Sequence, residues 1–545
     1  MPSPQHEAYR RHVLEWSREH SHEPGVAAAL ERHAEAVLVL WELDLAPARP
    51  FLRQGYADNS RGSDPWDPII VLRCLLLALL VGQTSLNQWV QDLRACRVLR
   101  LLAGVLMERK PKRRRRGPGV GTFYDFLHRL HDGPSRRPCP HGTRPSEAER
   151  QRARAPKARK QTKHQTKDER RRRKKRRPKN PVTADSAIDE GVTARLVQAL
   201  KQSQTLPNPN DVLGRLSQIL LEVAVKESAR RGLLGDLQQL LVCGDGSALP
   251  TGANRHGKRT CDCPKKSRCD CPRIYSDPDA NVGYDCHRDL FFFGHHMYEI
   301  VVSVQGHDLP LALRLDPAST SDFVAAPKTL EHLRKLLRDQ SDMKLGAAIF
   351  DAGHDGKPLY KFVMRHDMTP VIPLSVPAPA HHPTRAEIQL SRRGVPLCPA
   401  GVELVRRGTN RKGGQIFACP VKARQLGRCP QAPEDSVGYS CAPLSQLGHT
   451  VVVKTTDDER LFPPIPRNHP RYRELMNLRS GCERSFSVKK KRFKLLAARH
   501  RRASFWLFRL HLMALLQHGL AWVAKKDAQG LVDHLLGRTH SRAAA

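Results

Sequence analysis

The sequence predicts an α/β fold: a mixed sheet flanked by helices, an all-helical N-terminal region before it, and a cysteine-containing insertion within it. Three observations predict it. Leu240-Leu-Val-Cys-Gly-Asp-Gly246 and Gly346-Ala-Ala-Ile-Phe-Asp351 are short apolar runs that each end in an aspartate. Residues 298–304 and 309–315 alternate apolar and polar side chains around Gln305-Gly306-His307-Asp308, as two antiparallel strands do. Residues 323–337 and Lys357–Arg365 carry apolar residues at helical spacing, and 369–374 reads as a fifth strand. The order strand–strand–strand–helix–strand–helix–strand calls for parallel and antiparallel pairing in one sheet.

The elements around this core follow in order. Residues 1–133 read as a helical domain: Pro68–Leu80 and 86–106 have helical spacing, and Asp67-Pro68 marks a helix start. From 134 to 190 periodicity vanishes and Arg, Lys, Gln and Pro dominate, ending in eight consecutive cations at 170–177; this reads as a charge-repelled linker. Residues 191–240 read as a helical connector. The core's first part then spans 241–375, an insertion with four cysteines spans 376–464, and 465–525 returns to the core with a long helix at 470–493 and an apolar helix at 505–523. Residues 526–545 form a tail.

Charge bounds the function. Lys and Arg number 92 against 54 Asp and Glu, a formal net charge of +38 across 545 residues. A polyanionic partner relieves that self-repulsion, and nucleic acid gains further from counterion release. No lipidation signal or long basic amphipathic helix favours a membrane surface, and the apolar run 69–81 contains Arg73 and is too short to span a bilayer. The polar, charged N-terminus shows no secretory signal, and 14 cysteines are too dilute for a disulfide scaffold, so a cytoplasmic location is expected.

The acids carry the chemistry. Asp245 and Asp351 close two apolar strands, where side chains leave the core of an open sheet and meet ligands. Two carboxylates so placed repel unless a cation lies between them, and hard oxygen donors suit Mg²⁺ or Mn²⁺. Each Asp alone reads equally well as a turn or cap. On the helix at 470–493, Arg479, Glu483 and Lys490 are spaced by four and seven residues and share one face. That face is either a solvated charged stripe or a third carboxylate flanked by phosphate-binding cations. Lys489 and Lys494, with Arg255 and Lys258 after the first acid, add candidate DNA contacts.

Cys243-Gly-Asp-Gly246, Phe350-Asp-Ala-Gly353 and Arg479-Ser-Gly-Cys-Glu483 with Lys490 resemble the Asp-Asp-Glu insertion-sequence transposases of bacteria. The third block matches their Tyr-x2-Arg-x3-Glu-x6-Lys signature, except that Met476 stands at the tyrosine position; Tyr472, one turn earlier, is a candidate stand-in. The resemblance implies a ribonuclease-H-like core and two divalent ions about 3.5–4 Å apart, held by Asp245, Asp351 and Glu483. It implies cleavage at transposon ends followed by strand transfer. The implied partners are terminal inverted repeats and target DNA, bound by a homodimer or higher assembly in the nucleoid of a bacterial cytoplasm. A metal-dependent endonuclease without strand transfer and a non-catalytic DNA-binding descendant are the competing readings.

Two cysteine groups could hold structural Zn²⁺. Cys261, Cys263, Cys269 and Cys271 form two Cys-x-Cys pairs, tighter than usual zinc spacing. Cys398, Cys419, Cys429 and Cys441 are loosely spaced in an insertion with no evident apolar core. His295-His296 reads as a satisfied polar pair at a sheet edge.

Overall fold

The structure, a computed structural model, describes residues 2–56, 65–107, 117–132, 212–256, 258–259, 273–285, 288–434, 441–442 and 444–538. The expected linker at 134–190, part of the connector, and Cys261, Cys263, Cys269 and Cys271 lie outside these residues.

The central sheet contains β1 (Leu240–Pro250), β2 (Asn281–Asp285), β3 (Leu290–Val304), β4 (His307–Pro317), β5 (Leu345–Ile349) and β6 (Thr369–Val371). Its spatial order is β4-β3-β1-β5-β6, with β2 continuing beside the first half of β3. β3 runs antiparallel to β4, β2 and β1, whereas β1, β5 and β6 are parallel. The β3–β4 turn takes positive φ at Gln305 (51°) and Gly306 (80°), the conformation that closes a two-residue hairpin loop.

β1 is longer than the sequence suggested. The Gly-Asp-Gly segment is not a turn; the strand continues through it to Pro250, paired with β3 throughout. Ladder hydrogen bonds override the weak strand propensity of Gly244 and Gly246, and both glycines make room for what packs on them. A Cβ at Gly244 would lie 2.5 Å from the Phe350 ring and 2.6 Å from the Tyr298 hydroxyl.

Helix α1 (Asp322–Gln340) lies between β4 and β5, and α2 (Lys357–Arg365) between β5 and β6. The expected long helix at 470–493 is three pieces: α3 (Pro470–Leu478), α4 (Ser480–Ser487) and a π-helical turn, Val488–Arg492. Helix α5 (Ala503–Val523) is apolar on all sides because it is enclosed on all sides, between β4 and the helices Ala34–Glu42, Pro68–Leu80 and Val212–Leu220. Its polar side chains find partners: the His518 ring meets Ser228 Oγ at 2.7 Å and the Pro310 carbonyl at 2.9 Å. The N-terminal helices share one contiguous core with the sheet. Pro68–Leu80 begins as expected, with the Asp67 carboxylate accepting from the Ile69 amide at 2.8 Å. Among the described residues, no helix is long and apolar enough to cross a membrane.

The insertion differs from expectation. It has its own apolar core, including Ile388, Leu390, Val395, Leu404, Phe417, Val453, Leu461 and Phe462. A three-stranded antiparallel sheet, β7 (Val405–Thr409), β8 (Gln415–Ala418) and β9 (Thr450–Val453), runs through it. Cys398, Cys419, Cys429 and Cys441 are free thiols, and among the described residues no three His, Cys, Asp or Glu side chains gather as a metal would require.

Candidate active site

Asp245 sits where the parallel part of β1 ends: Cys243 is the last residue registered with β5, at Ile349, and Asp351 lies two residues further along that neighbouring chain. The two acids therefore leave the same end of adjacent parallel strands. Burial, and after it the carboxylates of Asp322 and Asp351, push the Asp245 carboxyl from 3.8 to about 7. The Gly246 amide, which donates to Asp245 Oδ1 at 2.8 Å, only partly offsets this. Among the described residues no ion pair neutralises Asp245.

Asp351 is held differently. His354 Nδ1 is 2.5 Å from Asp351 Oδ1, and Tyr298 Oη is 2.9 Å from His354 Nε2. Because a carboxylate only accepts, Nδ1 carries the proton and Nε2 accepts from the tyrosine hydroxyl. This relay, running from a buried tyrosine on β3, holds the Asp351 carboxyl below its ordinary range, with the His354 hydrogen bond as the leading cause.

Asp322, the first residue of α1, was not singled out from the sequence. A Cβ at Gly246 would overlap its carboxylate and the His296 ring, so the glycine lets Asp322 approach the backbone beside Asp245. His296 Nε2 holds Asp322 at 2.8 Å. His295 is fully buried and 3.2 Å from Asp277. Each histidine is only partly satisfied, its Nε2 partnered and its Nδ1 buried without a hydrogen-bond partner among the described residues, and the pair lies on a central strand rather than an edge.

Glu483 lies on α4, which packs on β1, β3 and β4. Its side chain is 54% exposed and ion-paired to Arg479 at 2.9 Å. Among the described residues no three candidate ligands close on a common point, so Glu483 does not meet the two aspartates. Lys490 reaches the other acids' side: its Nζ donates to Ser247 Oγ at 2.6 Å, and Ser247 shares a β1 face with Asp245, two residues away.

The remaining expected cations divide. Arg255 is exposed on a turn. Lys258 pairs with Ile274 in a two-residue ladder. Lys494 is exposed, with Nζ 3.4 Å from the Gly82 carbonyl. Lys489 is a correction: its side chain is 0% exposed and ion-paired at 2.7 Å to the buried Glu299, so it faces the interior and not a phosphate. Tyr472 is also buried, and burial, ahead of Arg467 and Asp355, governs its hydroxyl, which is pushed up to about 12.

A family model described as a transposase DDE domain matches residues 242–516, just over half of the 545-residue chain. That span starts in β1, two residues past its first, and ends within α5. No curated protein and no solved structure matches the chain. With both aspartates and Glu483 inside the matched span, the chain belongs to the DDE transposase family.

Proposed function

We propose that this protein cleaves DNA at transposon ends and joins the freed 3′-hydroxyls to target DNA, with Asp245, Asp351 and Glu483 as its catalytic acids. The observation that carries the reading is the unneutralised Asp245 carboxylate, crowded by Asp351 and Asp322 beside Lys490. The sheet is best read as ribonuclease-H-like, which the antiparallel pairing among β1 to β4, followed by β5 and β6 parallel to β1, supports.

The donor set fits a pair of hard divalent cations: carboxylate oxygens at a half-buried position where, among the described residues, Asp245 has no ion-pair partner. Asp245, Asp351 and Glu483 would hold Mg²⁺ or Mn²⁺, which when bound stabilises negative charge on the attacking and leaving oxygens of an in-line displacement. Glu483 would exchange Arg479 for this role by a side-chain rotation, open to it because it is exposed. Arg479, so released, and Lys490 would then hold phosphates on either side of the scissile bond. Water attacks phosphorus first and the 3′-oxygen leaves; that 3′-hydroxyl then attacks a target phosphodiester and expels the target strand's own 3′-oxygen, so no protein nucleophile is needed. Two DNA ends brought together call for a homodimer or larger assembly.

A strand-transfer assay with a pre-cut end in Mg²⁺ tests the reading. The wild type should join that end to target DNA, and Asp245→Asn should lose the activity by at least about 10³-fold, a loss on the scale expected for removing a principal source of transition-state stabilisation. Full activity in the variant would defeat the assignment; cleavage without joining would leave an endonuclease.

A further inference from the structure

We infer that the buried Lys489–Glu299 pair is a positioning device that sets the helix carrying Glu483 and Lys490 against the strand carrying Asp245; the inference rests on the catalytic reading above. Glu299 is registered directly opposite Asp245 in the β1–β3 ladder, so the two side chains share a sheet face. Its carboxylate is 1% exposed and lies 2.7 Å from Lys489 Nζ. The same ammonium donates to Ser485 Oγ at 2.9 Å and to Gln517 Oε1 at 2.5 Å. Gln517 Nε2 in turn donates to Ser485 Oγ at 2.9 Å.

The ammonium meets three different elements, with hydrogen bonds to Ser485 on α4 and Gln517 on α5 and an ion pair to Glu299 on β3, whose buried carboxylate oxygens have no hydrogen-bond partner among the described residues. A floppy contact does not meet that condition, because rotating α4 would break at least one of the three contacts. Lys489 lies six residues past Glu483, one third of a turn around an ideal helix, and one residue before Lys490. Fixing its azimuth therefore fixes theirs. The π-helical turn Val488–Arg492 begins at this point, so the helix changes its winding where the ammonium is pinned.

Stability alone does not account for such a pair. Desolvating two ions costs about what their attraction returns, and apolar residues of similar volume serve a core equally well. What apolar side chains lack is a directional requirement.

The test compares Glu299→Met/Lys489→Met with the wild type and with Glu299→Gln, which keeps an acceptor for Lys489 Nζ. Three quantities are read: melting temperature without metal, Mn²⁺ affinity of the DNA-free protein by calorimetry, and strand transfer. The double variant should melt within a few degrees of the wild type, yet bind Mn²⁺ and join DNA about 10- to 100-fold less well, the range typical of lost outer-shell support. Glu299→Gln should retain most of both. A double variant with wild-type Mn²⁺ affinity and joining would overturn the inference and leave the pair as packing. If the double variant does not fold, Gln517→Met removes one acceptor and carries the comparison: Mn²⁺ affinity lowered at least threefold supports the device, and unchanged affinity refutes it. A wild type that neither binds Mn²⁺ nor joins DNA would instead sink the catalytic reading itself.

Discussion

Asp245→Asn should stabilise the metal-free protein while abolishing its chemistry. The Asp245 carboxyl is pushed from 3.8 to about 7 by burial and by two neighbouring carboxylates. At about 1.36 kcal/mol per pH unit that shift caps the penalty at roughly 4 kcal/mol. Half-burial and solvent screening reduce it to about 1–2 kcal/mol. The sign follows from proton counting. Between pH 4 and 7 the folded chain keeps a proton that the unfolded chain has released, so stability falls as pH rises through this window and stays low above it. Asparagine has no such proton, and its side-chain oxygen still accepts from the Gly246 amide. In EDTA the variant should therefore melt with the wild type near pH 4 and above it by a few degrees at pH 8. Mn²⁺ at pH 8 should raise the wild-type melting temperature and leave that of the variant nearly unmoved. Calorimetric melts from pH 4 to 8, with and without Mn²⁺, check all three statements. A variant less stable than the wild type at pH 8 in EDTA, or a gap that does not change with pH, would refute the idea that Asp245 is held against its own charge.

Three further outcomes follow from the same geometry. Lys490→Met removes an ammonium held beside Ser247; binding of end DNA, titrated against salt, should weaken with a slope shallower by about 0.9, the value for one lost phosphate contact. His354→Ala breaks the link from Tyr298 to Asp351 and should weaken Mn²⁺ binding about 10- to 100-fold by calorimetry. Gly244→Ala places a methyl group 2.5 Å from the Phe350 ring; denaturant unfolding should show a loss of about 1–3 kcal/mol from overpacking.

The sheet was legible where local pattern and tertiary structure agree. The hairpin read at 298–304 and 309–315 is present as β3–β4, its turn marked by Gln305-Gly306, although both faces are packed and 294–303 and 309–313 are buried throughout; Asp67-Pro68 marked a helix start because capping is local chemistry. The misses have a common cause, since each depends on what lies across space. Gly-Asp-Gly reads as a turn until β3 is known to pair along it. Lys489 reads as one of a run of solvated cations, and only the π-turn and Glu299 place it inside. One signal was present: Glu299 interrupts the apolar run Tyr298-Glu-Ile-Val-Val302, and a lone acid in a buried strand requires a cation somewhere. The insertion's core went unseen because its apolar residues come from loops and isolated bridges, without the period of a helix or a long strand. Asp322 was invisible as a site residue, since neither spacing nor composition links the start of α1 to Gly246.

Two carboxylates on one sheet face are supplied with charge in opposite ways. Asp245 and Glu299 are direct partners in the β1–β3 ladder, and α4 covers that face. Glu299 is the more deeply buried, yet it is the one supplied with a cation, from a lysine held in addition by Ser485 and Gln517. Asp245 has a backbone amide and a lesser attraction from His354, against burial and two nearby acids that oppose its ionisation. A fold that can place an ammonium against Glu299 could place one against its neighbour, and Lys490 comes as near as Ser247 without pairing with Asp245. The charge that Asp245 lacks is thus withheld locally, beside a residue where the same helix provides it in full. Such a contrast follows if the missing charge arrives with a bound ion, and a protein cation in that place would exclude it.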